Sequence, residues 1–242
     1  MNIIRLQQTE STNRHLIQLS AGRHLPEETV VVADCQTEGR GQGSNAWESE
    51  SGKNLTFSIL LYPTFVKGAE QFGISKAVAL AVCDFVAQYA DSVTVKWPND
   101  VYAGDRKITG ILVENFMEGA RVTKTIAGIG VNINQEQFVG DAPNPVSLYQ
   151  ITSRYFDLEN CLHRILQRIA DRYLQLRTTP ETLHNDYIRR LYRFNEWKTY
   201  CADGERFEAR IIGVNRYGML ELRTADNSIR TFGFKEVETI IP

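Results

Sequence analysis

The chain has no CxxC pair, no histidine cluster, no long apolar run and no excess of charge of one sign. Each absence removes a class of protein. Its four cysteines (Cys35, Cys83, Cys161 and Cys201) are scattered over 242 residues, which argues against a disulfide framework and predicts reduced thiols in a cytoplasmic protein. The four histidines show no metal-ligand spacing, so a zinc site is not expected. No apolar run approaches the ~20 residues needed to cross a bilayer. The start, MNIIRLQQTESTN, lacks the basic end and apolar core of a signal peptide. With 27 basic against 29 acidic residues and a net charge of −2, the chain does not read as a dedicated nucleic-acid binder. What remains is a soluble globular protein of ordinary composition, 43% hydrophobic and 23% charged. Its length allows one substantial core with a small satellite domain.

The central stretch is KWPNDVYAGDRKITGILVE, from Lys96 to Glu114. It reads as a strand, a Pro-braced turn, a short hairpin through Asp-Arg-Lys and a second, more apolar strand. Lys96, Asn99, Asp100, Lys107 and Glu114 thus stand on backbone that flanking strands hold still. Charges of both signs on one rigid hairpin point to an anionic ligand with a metal rather than to packing.

Around it the pattern alternates. Ile3–Leu6 predicts a first strand and Thr29–Ala33 a buried one, with a helix between them through Leu19. Ser11, Thr12 and Asn13 at that helix start carry two readings, an N-cap or hydroxyls presented to a ligand. Gln36–Gly52 holds four glycines, Arg40 and Trp47. The bland reading is a surface loop. Against it, Arg40 between Gly39 and Gly41 lets backbone N–H groups and a guanidinium converge on an anion, and Trp47 is too apolar to stand idle in solvent. No GK[ST] follows, so it is not a Walker loop.

Asn54–Leu61 predicts a strand, Glu70–Tyr89 an amphipathic helix, and Thr123–Ile133 a strand whose Gly128 and Gly130 mark close approach by a ligand or another backbone. This last strand is also a candidate for edge pairing with a second copy. Asn132 near its end is structural or functional on spacing alone. After a loop over Gln135–Gln150, Asp157–Leu176 and Pro180–Tyr192 predict helices. The Arg189, Arg190 and Arg193 run reads as a solvated face. From Trp197 the texture is of short strands over Glu205–Val214, Met219–Arg223, Ile229–Phe234 and Val237–Ile241, which predicts a small β-barrel or sandwich.

Taken together, STN, QTEGRGQG…W, KWPND, DRKITGILVE and GIGVNIN, in this order and spacing, resemble the biotin–protein ligases. The likeness runs from the first strand to the C-terminal β segment. It implies an α+β fold: a mixed central β-sheet flanked by helices, similar to class II aminoacyl-tRNA synthetases, over residues 1–195, and an SH3-like β-barrel over 196–242. It implies activation of biotin with ATP to biotinyl-5′-AMP, then transfer to a lysine of a biotin carboxyl carrier protein, with Mg²⁺ assisting. Ser11, Thr12, Asn13 and Gln36 would border the biotin ring, and Arg40, Gly41, Gln42 and Trp47 would form the loop that closes over it. Lys107 would meet the biotin carboxylate and the α-phosphate. Lys96, Asn99, Asp100, Asn132 and Arg40 would serve the nucleotide, with Asp100 anchoring Mg²⁺. Lys107, Arg40 and Asp100 would be the catalytic set. Glu236 stands where the family commonly has an acid. One departure is plain: the family loop often reads GRGR, and here Gln42 replaces the second arginine. The catalytic pattern starts within a dozen residues of Met1, which suggests the type without a DNA-binding domain, acting as a monomer or weak homodimer. The rivals are a lipoate or octanoate ligase or transferase of the same fold and a non-catalytic carrier-binding module.

Overall fold

The apolar pattern resolves into two sheets and a helical layer in a computed structural model that describes residues 2–43, 45–140 and 144–240. The chain opens with β1 (Asn2–Thr9), α1 (Thr12–Gly22) and β2 (Thr29–Gln36), and β1 pairs parallel with β2 through the helical crossover. Then come β3 (Leu55–Leu61), α2 (Phe72–Val86), β4 (Val93–Lys96), β5 (Asp100–Ala103), β6 (Arg106–Glu118) and β7 (Arg121–Val131). All their pairings are antiparallel, and the seven strands lie in the order β1-β2-β3-β7-β6-β5-β4. The expected mixed sheet is therefore present. β7 is interior to it, paired on one side to β3 and on the other to β6, so the edge pairing expected of Thr123–Asn132 has no free edge to use.

Both faces of the sheet are covered, which is why β3 is buried along its whole length. One face packs on α2, α4 (Leu158–Thr178) and α5 (Pro180–Arg189), with Phe57, Ile59, Ile74, Phe85, Ile165 and Tyr187 in the core. α2 is sandwiched between sheet and α4, so nearly every side of it is apolar. Asp157 caps α4 by accepting from the Asn160 N–H at 2.7 Å, and Pro180 opens α5. The other face meets α1 in a smaller cluster of Leu16, Val31, Leu60 and Ile126. Because strand side chains alternate, that face also carries Ser58 of β3 and the glycines of β6 and β7. Register places Ser58 opposite Gly128, and Gly110 opposite Gly130, so a stretch of small residues floors this face beside α1.

After the short α3 (Leu148–Thr152), α4 and α5, the chain forms β8 (Trp197–Ala202), β9 (Glu205–Val214), β10 (Leu220–Thr224), β11 (Ile229–Phe232) and β12 (Glu238–Thr239). These make an antiparallel sheet in the order β11-β10-β9-β8-β12. The described residues leave it open rather than closed as the expected barrel, since β12 spans only two residues and pairs with β8 alone. Ile241, the end of the last expected strand, lies outside the described residues. The two sheets are stitched together by the Trp97 indole N–H, which donates to the Gly218 carbonyl at 2.8 Å, and the segment before β8 docks on the second sheet where the Asn195 N–H donates to the Ile211 carbonyl at 3.0 Å.

Candidate active site

At the start of α1, Ser11 occupies the N-cap position but its side chain makes no capping bond. Ser11, Thr12 and Asn13 are all buried. The Thr12 N–H and hydroxyl both donate to Gln36 Oε1, at 2.8 and 3.1 Å. The Asn13 amide donates to the Glu114 carboxylate at 2.7 Å and to the Leu112 carbonyl at 3.3 Å. Ser58 Oγ lies 2.7 Å from Thr12 Oγ1 and 2.6 Å from Asn13 Oδ1, closing a network from β2 through α1 and β3 to β6. Gly128 permits it, because a Cβ there would stand 2.2 Å from Asn13 Oδ1. Thr12 and Asn13 are thus bound into a polar wall with Ser11 beside them, and the capping reading does not hold for the Ser11 side chain. Ser58 was missed; a hydroxyl two residues after Thr56 inside the apolar run NLTFSILL was its signal.

The second wall is charged. The β4–β5 turn carries the cis Trp97–Pro98 bond and sets Lys96 opposite Asp100. Asn99 fastens the turn to β6: its side-chain amide donates to the Ile111 carbonyl at 2.7 Å, and the Ile111 N–H donates to the Asn99 carbonyl at 3.0 Å. Lys107 Nζ reaches Asp100 Oδ1 at 2.8 Å, both side chains about one-fifth to one-quarter exposed. The Lys107 backbone is held by a strap, donating to the Asn144 carbonyl at 2.9 Å and accepting from the Val146 N–H at 2.8 Å. Lys96 stands over the Tyr102 ring and 3.2 Å from its hydroxyl. Burial lowers the Lys96 pKa, with Asp100 opposing the shift and Lys107 adding to it.

Over the floor lies the glycine-rich loop. It folds on itself through a bridge between Arg40 and Ala46, with the Gly41 N–H donating to Asn45 at 2.7 Å and the Trp47 N–H to Gly39 at 2.9 Å. Ser44 within it lies outside the described residues. The Trp47 ring rests on the floor: a Cβ at Gly130 would sit 2.3 Å from the indole, and one at Gly110 2.8 Å from it. Its Nε1 is buried without a partner among the described residues. Lys107 Nζ lies 5.8 Å from the Trp47 ring centroid.

These walls enclose one cavity of about 790 Å³. It brings together Ser11, Thr12, Asn13, Gln36, Arg40, Gly41, Gln42, Trp47, Lys96, Asn99, Asp100 and Lys107. Asn132 is not brought to it. Its amide donates to the Val146 carbonyl at 3.1 Å and its N–H to Ile108 at 2.9 Å, so it braces the strap behind Lys107. The far side comes from the second sheet and its junction, through Tyr192, Arg193, Tyr200, Lys235 and Glu238. Arg193, read from sequence as solvated, is only 16% exposed in its side chain and faces this cavity. Among the described residues, five cationic side chains (Arg40, Lys96, Lys107, Arg193 and Lys235) line it, against the carboxylates of Asp100 and Glu238 alone. In a chain of net charge −2, that local excess selects an anionic ligand. Among the described residues no three His, Cys, Asp or Glu side chains gather as a metal site. Asp100 is a single carboxylate already paired with Lys107.

Comparison with known proteins agrees with this arrangement. A model of the family described as "Biotin/lipoate A/B protein ligase family" matches residues 5–132. The chain is 34% identical over 205 residues to the bifunctional ligase/repressor BirA of Bacillus spizizenii, covering 82% of this chain and 59% of that protein. It is 30% identical over 198 residues to the biotin–[acetyl-CoA-carboxylase] ligase of Paracoccus denitrificans, covering 79% of this chain and 81% of that one. The chain spans about three-fifths of the length of the Bacillus relatives, 59% and 63%. The biotin protein ligase from Aquifex aeolicus, solved in complex with biotin and ATP, superposes with a TM-score of 0.82 at 24% identity, covering 99% of this chain and 98% of that one. At that identity the likeness speaks to the fold.

Proposed function

Because the chain belongs to the biotin/lipoate A/B protein ligase family, we propose that it is a biotin–protein ligase. It joins biotin to ATP as biotinyl-5′-AMP and then passes the biotinyl group to a carrier-protein lysine. The observation that carries this reading is the cavity's division into a neutral wall and a cationic one. The ureido ring of biotin offers one carbonyl and two N–H groups, which the amides and hydroxyls of Ser11, Thr12, Asn13 and Gln36 can answer. Its carboxylate then points toward Lys107.

In the first step the carboxylate oxygen attacks the α-phosphorus of ATP, the new O–P bond forms and pyrophosphate leaves. A carboxylate with a pKa near that of Glu, about 4.3, is ionised at pH 7, so the barrier is repulsion between anions. Fixed cations at short range remove it. Lys107 is suited to hold both reacting groups, since its backbone is strapped and its ammonium is set by Asp100. Arg40 lies exposed on the loop at the mouth, able to follow the phosphate as the loop closes. Mg²⁺ commonly binds through one or two carboxylates plus substrate phosphates, and Asp100 would hold it. When bound, the ion supplies further charge neutralisation at the phosphates. The mixed anhydride is prone to hydrolysis, and Trp47 with its glycine-rich loop excludes water above it. In the second step the carrier lysine, deprotonated beside Asp100, attacks the acyl carbon and AMP leaves.

Residues 1–195 carry this chemistry, and 196–242 form the smaller unit whose turns close the far side of the cavity. The acceptor is the carrier subunit of a biotin-dependent carboxylase. Free cysteines suit a reducing compartment, and we place the protein in the cytoplasm as a monomer or weak homodimer. Among the described residues no helix is long and apolar enough to cross a membrane. The test is ATP–pyrophosphate exchange with biotin, lipoate and octanoate in parallel. Exchange is expected with biotin alone. Exchange driven by lipoate or octanoate, or by none of the three, overturns the reading.

A further inference from the structure

The turn after β11 holds a lysine where a lysine is costly. Lys235 has φ +65°, a left-handed conformation that glycine adopts freely and a Cβ-bearing residue does not. The turn is locked by Glu236, whose carboxylate accepts from the Gly233 N–H at 2.6 Å while its own N–H donates to the Gly233 carbonyl at 3.2 Å. Such an outlier points toward a role for the side chain. That side chain crosses from the second sheet to the glycine-rich loop: a Cβ on Gly43 would lie 2.8 Å from Lys235 Nζ. No carboxylate pairs with Lys235 among the described residues, and it lines the cavity.

Its neighbour on the loop is Gln42, the neutral residue of the GRGQG segment. Gln42 turns toward a small cleft beside Pro98, Asn99 and Ile111, with its Oε1 buried and without a partner among the described residues. The loop therefore brings one cation, Arg40, to the mouth, and a second arrives from the other sheet. We propose that Lys235 is a phosphate-binding residue of the active site, supplying from the second sheet the positive charge that the loop lacks at Gln42. It rests on the ligase reading: the ligand is the phosphoryl group of the nucleotide and of the adenylate formed from it. The contact already brings the glycine-rich loop and the second sheet together at the edge of the cavity, where an anion can bridge them. Charge in a phosphate pocket need only be near the oxygens, whichever strand it comes from.

The experiment compares the full chain with Lys235→Gln, Lys235→Gly and Lys235→Gln/Gln42→Arg by ATP–pyrophosphate exchange, retention of labelled adenylate and thermal melting. Lys235→Gln is expected to raise the KM for ATP and speed adenylate release by roughly tenfold, the worth of one charge-assisted hydrogen bond. The loss shrinks with added salt. Adding Gln42→Arg is expected to restore both. Lys235→Gly is expected to lose the same activity while melting at an equal or higher temperature, since it relieves the backbone and removes only the ammonium. If Lys235→Gln holds adenylate as the parent does, if Gln42→Arg restores nothing, or if the loss follows a fall in melting temperature, the assignment is wrong. Should the parent itself show no biotin-dependent exchange, it is the ligase reading that fails.

Discussion

At one end of the cavity the side chains of Thr12, Asn13, Gln36 and Ser58 find partners in the protein; at the other the charges outnumber theirs. Thr12, Asn13, Gln36, Ser58 and Glu114 satisfy one another through bonds of 2.6–3.1 Å. Of the five cations opposite, Lys107 has Asp100 at 2.8 Å and Arg193 has only Asp105 at 3.9 Å. Lys96 has a phenol and an aromatic face in place of a carboxylate. A closed network holds a shape before the ligand arrives, as preorganisation requires. An unbalanced group of cations stores repulsion that an anionic ligand relieves. On the ligase reading, one wall recognises the ligand's form and the other supplies the driving force on its charge.

Breaking the charged wall should have the largest effect. Lys107→Ala is expected to cut biotin-dependent exchange by roughly a thousandfold, the scale of a lost transition-state charge contact. Melting temperature should stay within a few degrees, because the strap holds the backbone of residue 107 rather than its ammonium. Exchange near the parent's rate would remove Lys107 from the chemistry.

The neutral wall should respond more gently and on a different substrate. Ser58→Ala removes one hydroxyl from a network that keeps its other members. Its KM for biotin is expected to rise about fivefold, near 1 kcal/mol, with the KM for ATP unchanged. Equal shifts in both constants would mean that the two walls do not divide the work.

Another lysine sharpens the contrast by lying outside the cavity. Lys76 is 5% exposed within α2, 2.7 Å from His184 Nδ1 and beside the rings of Phe72 and Tyr187. Burial lowers its pKa from 10.5 to about 8, with Glu181 weakly opposing. The native state therefore releases this proton before the unfolded chain does. Its cost is fully present below about pH 8 and fades as pH rises toward 10.5, so stability attributable to Lys76 increases across that window. Lys76→Met is expected to stabilise the fold at pH 7 by about 2 kcal/mol, with less gain at pH 10 and no change in exchange activity. Denaturant melts at the two pH values check it, and an equal gain at both would exclude titration as the cause.

The sheet and its helices were legible because each rests on local periodicity. TVVVA and NLTFSILL announce buried strands, and Gly128 and Gly130 announced a close approach that proved to involve Asn13 and Trp47. Hidden features were those made by distant chain. Ser58 looks unremarkable until register sets it across from Gly128, and Arg193 belongs to a charge run until the second sheet folds over the cavity. Asn132 was open on spacing alone, with a nucleotide role implied only by resemblance; its amide N–H donates to the Val146 carbonyl, while its Oδ1 is buried without a partner among the described residues. Edge pairing of β7 was misjudged because strand order is a property of the whole sheet, and no single strand encodes it.

Trp97, inside the most recognisable motif of the sequence, reaches neither wall's chemistry with its indole N–H, which instead holds Gly218 across the sheet junction. Only Pro98 and Asn99 separate that anchor from Asp100. A load placed on the β9–β10 turn would therefore pass through a short lever to the Asp100 carboxylate beside Lys107.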